Sequence, residues 1–408
     1  MKLLFLVSSL DLTQPFSATP AWWQLMKGLY EIGVEVIATP YQGPAIESLW
    51  WRAAPNPARF YGDTFNAVRE AARKMVPSPV GAHGGAPLQN SRDEDEDGAN
   101  DAEAFSDRFV RRTAQTMVAP LWLRHLDRLL TREPDIDAVI ILTAPLNHLV
   151  GIPAELQRRH HKPIFYYDGD VPASLPNMRG FATGFRIYQG ADLSEYTAFI
   201  SNSLGGIDPI RQLGAREVYP LYYGADPDVF SPVDVAAQDI DVFFYGHGRE
   251  YRDQWIDAMI KEPSLALSEA KFAVRGTKLG DLGRAQTLPY LSFSKLREYA
   301  SRSRINLCIT RAAHASVFAS SSSRPFELAS MGCCIVANPY DGIETWFEPG
   351  REVFVVQSSD EALDRYRYLL AHDAERLAAG RAARERVLKQ HTFRHRAREL
   401  CEIVRKYL

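Results

Sequence analysis

Cysteine is scarce in this chain: 408 residues hold four, at Cys308, Cys333, Cys334 and Cys401. Their spacings fit neither a zinc site nor a disulfide framework, and each lies in an apolar run, so they read as reduced core residues. A surplus of one charge is also lacking. The formal net charge is -3, with 47 Lys and Arg against 50 Asp and Glu, which argues against the basic face of a dedicated nucleic-acid binder. No run of about 18 apolar residues occurs, so no membrane span is expected. Met1 to Leu10 is too short for a signal peptide, has no small-residue cleavage site after it and ends at Asp11; it reads as a first buried strand, and a cytosolic location is expected. Repeats of solenoid period are absent too.

What is present is an alternation of strand and helix patterns long enough for two cores. Lys2 to Ser8, then a helix from Ala21 to Ile32 closed by Gly33, then Val34 to Thr39 form a βαβ unit, which implies parallel pairing. The loop after the first strand lies at the carboxyl edge of the sheet, where open α/β folds bind ligands. Ser9, Asp11 and Trp22 are therefore candidates to meet an acceptor, with helix packing the competing reading for Trp22 and Trp23. From Pro77 to Ala104 the composition turns to Pro, Gly and Ser and then to seven acidic residues between Asp93 and Glu103. A disordered surface insertion is expected there, since it has too little to bury; the spacing of a calcium loop is absent.

A long helix over Phe105 to Leu130, a strand over Asp137 to Leu142, a helix from about Leu146 to Arg159 and a strand over Pro163 to Asp168 follow. The last ends in Asp168-Gly169-Asp170, two carboxylates on a turn that serve either as a base or as loop caps. A linker over Ser231 to Asp239 leads to a second βαβ series. Its first strand ends in Gly246-His247-Gly248-Arg249, where two glycines let backbone approach a ligand and Arg249 or Arg252 would neutralise a diphosphate. Arg275 and Lys278 stand at the end of the next strand. The stretch from Ile305 to Val356 reads as strand, Ser-rich loop, helix opened by Arg324 and Pro325, and a strand over Cys333 to Ala337. A strand, loop and helix N-terminus in that order make an anion pocket. Arg324 adds a cation and Glu327, one turn later, an acceptor of hydrogen bonds, which suits a nucleotide-sugar.

Arg324-Pro325-Phe326-Glu327-Leu328-Ala329-Ser330-Met331-Gly332, with Asp341-Gly342-Ile343-Glu344 and Phe347-Glu348-Pro349-Gly350, resembles the donor-site signature of GT-B glycosyltransferases, most closely the group-1 enzymes and their spore-maturation, CgeB-like relatives. Gly224-Ala225-Asp226-Pro227 resembles the motif that closes their first domain. The resemblance implies an α/β fold of two Rossmann-like domains facing across a cleft: an acceptor domain over 1–235, a nucleotide-sugar domain over 236–390, and a helix over 391–408 crossing back to the first. It implies a metal-independent, hexosyltransferase-like reaction with no cofactor beyond the co-substrate. Ser323, Arg324, Arg311, Arg249, Arg252, Arg275 and Lys278 would face the leaving group, Glu327 would hold ribose hydroxyls, and Tyr290 and Leu291 would line the nucleobase.

One expected residue is missing. Many retaining enzymes of this kind carry a second Glu eight positions before the one corresponding to Glu327, where this chain has Ala319. Retention follows from the resemblance; inversion needs a base from the first domain, with Asp11, Asp168 and Asp170 as candidates. A sugar-nucleotide epimerase, a phosphorylase-like enzyme and a non-catalytic two-lobed binding protein use similar architectures. The Arg-rich tail reads as a solvated helix face in preference to a membrane contact, because Glu is interspersed along it.

Overall fold

A computed structural model of the chain describes residues 1–11, 20–60, 108, 111–176, 187–248, 252–289 and 293–408. The expected insertion at 77–104 lies outside them, as do Arg249, Tyr290 and Leu291.

Seven strands form the first sheet: β1 (Lys2–Ser9), β2 (Glu35–Gln42), β3 (Arg52–Ala53), β4 (Ala138–Leu142), β5 (Ile164–Asp168), β6 (Ala198–Ser201) and β7 (Val218–Pro220). All pair in parallel, in the order β3-β2-β1-β4-β5-β6-β7. Six more form the second: β8 (Ile240–His247), β9 (Phe272–Thr277), β10 (Gln286–Leu288), β11 (Ser303–Cys308), β12 (Ile335–Ala337) and β13 (Phe354–Val355), again parallel, in the order β10-β9-β8-β11-β12-β13. The near-continuous apolar runs of β1, β4 and β5 are what a parallel strand covered on both faces requires. Each sheet has a core on either side, and Phe5, Phe165, Phe393 and Leu400 share one of them.

In both sheets the strand order reverses direction at one place, between β1 and β4 and between β8 and β11. Crevices open at the carboxyl ends of such strand pairs, and ligands of open α/β sheets bind there.

The helix expected from Leu146 to Arg159 is two pieces, a 3-10 turn at Leu146–His148 and a helix at Ile152–His160. Gly151 separates them at φ 83. The helix expected from Phe105 contains a wide turn at Ala114–Val118 before Ala119–Arg132. The tail breaks where expected, between Asp373–Gln390 and Phe393–Arg405, with Thr392 capping the last helix by accepting the His395 N–H.

That last helix lies on Ala21–Glu31 of the first domain. The two approach so closely at Gly28 that a Cβ there would come within 2.7 Å of the Phe393 carbonyl oxygen, so only glycine fits. Beside it Lys27 is buried and paired with Glu31 at 2.5 Å and with Asp226 and Asp228 at 2.8 Å. The Gly224-Ala225-Asp226 motif is thus the seat of the crossing helix, since burying Lys27 requires partners of opposite charge. Among the described residues, no helix is long and apolar enough to cross a membrane.

A second bond between the domains runs through the Ser-rich loop. Ser320 and Ser203 form an antiparallel bridge. The Asn202 amide donates to the Ser321 carbonyl at 2.9 Å, and the Ser321 N–H donates to the Asn202 carbonyl at 2.9 Å. Half of the serine run therefore faces the other domain; Ser322 and Ser323 remain at the start of the Ser323–Ser330 helix.

Candidate functional site

The crevice of the second sheet is lined by the ends of β8 and β11 and by the Ser323–Ser330 helix. Arg324 and Glu327, three residues apart on that helix, project from one face. The Arg324 guanidinium lies over the Tyr245 ring at 4.8 Å and the Phe244 ring at 5.4 Å, and one of its nitrogens donates to the Ile309 carbonyl at 3.3 Å. Its Nε is buried with no hydrogen-bond partner. Glu327 is fully buried; Oε2 accepts from the Tyr245 hydroxyl at 3.0 Å, and Oε1 has no partner. Burial pushes its carboxyl up to about 7, against the pull of Arg324 and the Tyr245 bond. A buried acceptor and a buried donor left unsatisfied one helical turn apart cost folding energy, and a ligand offering hydroxyls and negative charge would suit both.

The other residues of this edge divide by what they already hold. Arg252, placed by its charge among the diphosphate ligands, is buried and donates to the carbonyls of Ile309, His247 and Gly248. Those bonds tie the tips of β8 and β11 together. Gly248 sits at φ 77, a backbone state that favours glycine, while a Cβ on Gly246 would strike the Phe244 ring at 2.5 Å. The chain's own geometry therefore requires both glycines, whatever approaches them. Arg275 is buried at the end of β9, and Lys278 is exposed just beyond it.

Across the cleft, the two carboxylates of the first domain part company. Asp168 is fully buried, accepting from the Ser174 and Tyr188 hydroxyls, each at 2.5 Å, and from the Asp170 N–H at 2.9 Å. Burial raises its carboxyl and these donors lower it. Both oxygens are engaged in holding the turn, so of the two open readings, base or cap, its geometry is that of a cap. Asp170 is half-buried and reaches the second domain: its Oδ1 lies 2.9 Å from the Arg311 guanidinium and 3.6 Å from His314 Nε2. Burial raises the Asp170 carboxyl, and Arg311 opposes the shift.

His314, which sequence reasoning passed over, is 2% exposed, and its Nδ1 has no partner. Burial and the neighbouring Arg311 and Arg252 hold it well below its ordinary range, hence neutral. A lone histidine in an alanine-rich turn carries no signal of this placement. Asp170, Arg311 and His314 are brought together, whereas Ser9 and Asp11 stand at the end of β1 and Trp22 packs in the core against Trp51.

Residues 249–402 match the sequence family described as glycosyl transferase-like. A comparison with curated proteins finds no match. Among solved structures, sucrose-phosphate synthase from Thermosynechococcus elongatus superposes with a TM-score of 0.65 at 13% identity, covering 100% of this chain and 99% of that one. Anabaena Alr3699/HepE in complex with UDP gives 0.59 at 13% identity and covers 100% of both chains. The trehalose-6-phosphate synthase OtsA gives 0.58 at 12%, covering 100% of this chain and 99% of that chain. The fold is GT-B, two parallel Rossmann-like sheets with a crossing C-terminal helix, and the glycosyl transferase-like match spans most of the second sheet and that helix.

Proposed function

We propose that the protein is a glycosyltransferase that binds a nucleotide-sugar in the crevice of its second sheet and transfers the sugar to an acceptor held by the first. The observation that carries this reading is the pair of unsatisfied buried atoms, Arg324 Nε and Glu327 Oε1, on one turn of helix at the point where such sheets bind ligands. The glycosyl transferase-like match over residues 249–402 includes both residues, and solved structures of the same fold hold UDP or UDP-glucose. In motif the chain is read as nearest to the group-1 and CgeB-like enzymes.

In this reading Glu327, ionised, accepts from ribose hydroxyls, and Arg324 with the first-turn amides of its helix faces the diphosphate. The bond from the sugar's anomeric carbon to the β-phosphate oxygen breaks, its electron pair leaves with the nucleoside diphosphate, and an acceptor oxygen bonds to that carbon. Preorganised cations stabilise the charge developing on the leaving oxygen, and the chain supplies Arg324 and Arg311 without recourse to a metal. The acceptor's proton goes to the leaving phosphate if configuration is retained, as the resemblance implies. If it is inverted, Asp170 or Asp11 takes the proton, because both oxygens of Asp168 already accept hydrogen bonds.

The test is release of free nucleoside diphosphate from a panel of UDP-, GDP- and ADP-sugars incubated with the full chain and an acceptor. Arg324→Ala should lower turnover by roughly 10²-fold while the protein stays folded. Wild-type turnover in the variant would remove Arg324 from the donor site. Release of free diphosphate also separates transfer from epimerisation, which returns the nucleotide-sugar intact.

A further inference from the structure

Asn202 follows β6 directly and is fully buried. Burying an amide costs free energy unless its donor and its acceptor are both met, and here they are met by different domains. Oδ1 accepts from the Val171 N–H at 3.0 Å within the first domain, while Nδ2 donates to the Ser321 carbonyl of the second at 2.9 Å. Turning the amide over would set donor against donor and acceptor against acceptor, so only one orientation satisfies both neighbours. The main chain of Asn202 repeats the connection. Its N–H donates to the Asp168 carbonyl at 3.3 Å, and its carbonyl accepts from the Ser321 N–H at 2.9 Å and the Ser321 hydroxyl at 2.8 Å.

Both partners adjoin the site. Val171 follows Asp170, whose carboxylate reaches Arg311 across the cleft, and the Val171 carbonyl is held in turn by the Ser320 hydroxyl at 2.8 Å. Ser321 stands three residues before Arg324 and leads into the helix that carries Arg324 and Glu327. The joint is tight. A Cβ on Gly206 would fall 2.2 Å from Val171 Cγ1, and one on Gly205 2.9 Å from Val317 Cγ1, so the turn after Asn202 is wedged between the carboxylate turn and the Ser-rich loop.

We propose that Asn202 is a positioning residue of the transfer reaction: one amide, bonded to Val171 and to Ser321, sets the wall that carries Asp170 in register with the helix that carries Arg324. The inference rests on the glycosyltransferase reading above. Asn202 touches neither substrate in it. The nucleotide contacts of that reading, Arg324 and Glu327, both lie on the second domain, and the amide supplies the alignment between that half-site and the other. A displacement of about 1 Å between reacting groups costs about 10²-fold in rate, whereas binding to one half-site is indifferent to where the other lies.

The experiment uses the full chain, with UDP-glucose, GDP-mannose and ADP-glucose as donors, free glucose as the acceptor probe, and UDP, GDP and ADP as binding probes. Asn202→Asp keeps the shape and the acceptor for Val171 while losing the donor to Ser321; Asn202→Ala loses both. In each variant kcat for diphosphate release should fall about tenfold or more, and the Kd of the nucleoside diphosphate should stay within about threefold of wild type. A kcat within about twofold of wild type in a folded variant overturns the proposal and leaves the transferase reading standing. So does a Kd that weakens in step with kcat, which would place the effect of Asn202 in the nucleotide pocket. Failure of both variants to fold overturns it too, because the amide would then serve the fold alone. A wild type that releases no diphosphate from any donor overturns the transferase reading, and this one with it.

Discussion

Asp168 and Glu327 are both fully buried carboxylates near the carboxyl edges of parallel sheets, one in each domain. Asp168 receives three hydrogen bonds from its own domain. Glu327 receives one, and its second oxygen faces no donor. Burial raises the pKa of both, and only Asp168 is extensively compensated by donors. The satisfied carboxylate braces its own turn, and the unsatisfied one is held at a cost to stability, as the proposed donor-site role for Glu327 would require.

This contrast is sharpened by removing each group in turn. Asp168→Ala strands the Tyr188 and Ser174 hydroxyls and the Asp170 N–H, so a loss of about 4 kcal/mol is expected, at about 1–3 kcal/mol for each buried group left unpaired. Urea unfolding at pH 7 measures it, and a loss below about 1 kcal/mol would mean that the turn reorganises freely.

Glu327→Gln should act in the opposite direction. The folded-state pKa of Glu327 is raised from 4.5 to about 7, so the protonated form favours the folded chain. Its contribution is fully present below about pH 4.5 and is lost as pH rises through about 7, a difference of about 3 kcal/mol. The Gln variant, which cannot ionise, should match wild type near pH 4.5 and exceed it by up to about 3 kcal/mol at pH 8, while binding donor more weakly. Parallel unfolding curves for the two proteins across that range would show that Glu327 is compensated after all.

Much of this was legible in the sequence. The alternation of apolar strands with helices capped by Gly33 and Gly332 announces two parallel sheets, and Arg324 and Glu327 could be picked out as a pair because their spacing on one helix is local. What escaped is what depends on partners distant in the chain. The donors that satisfy Asp168 come from Ser174 and Tyr188, which no spacing rule connects to it. Ser320 and Ser321 read as part of a ligand loop, but they are held by Val171 and Asn202 of the other domain. The charge of Arg252 gave no sign that three carbonyls claim it.

The central claim is that the second-sheet crevice is kept unsatisfied for a nucleoside diphosphate, and calorimetric titration of UDP, GDP and ADP into the full chain at pH 7 tests it most directly. One of them should bind with a stoichiometry of one. Binding should release a fraction of a proton, because hydroxyls donated to Glu327 favour its ionised form, and it should weaken about tenfold or more in Arg324→Ala. Failure of all three nucleotides to bind, or equal binding by wild type and Arg324→Ala, would contradict the account.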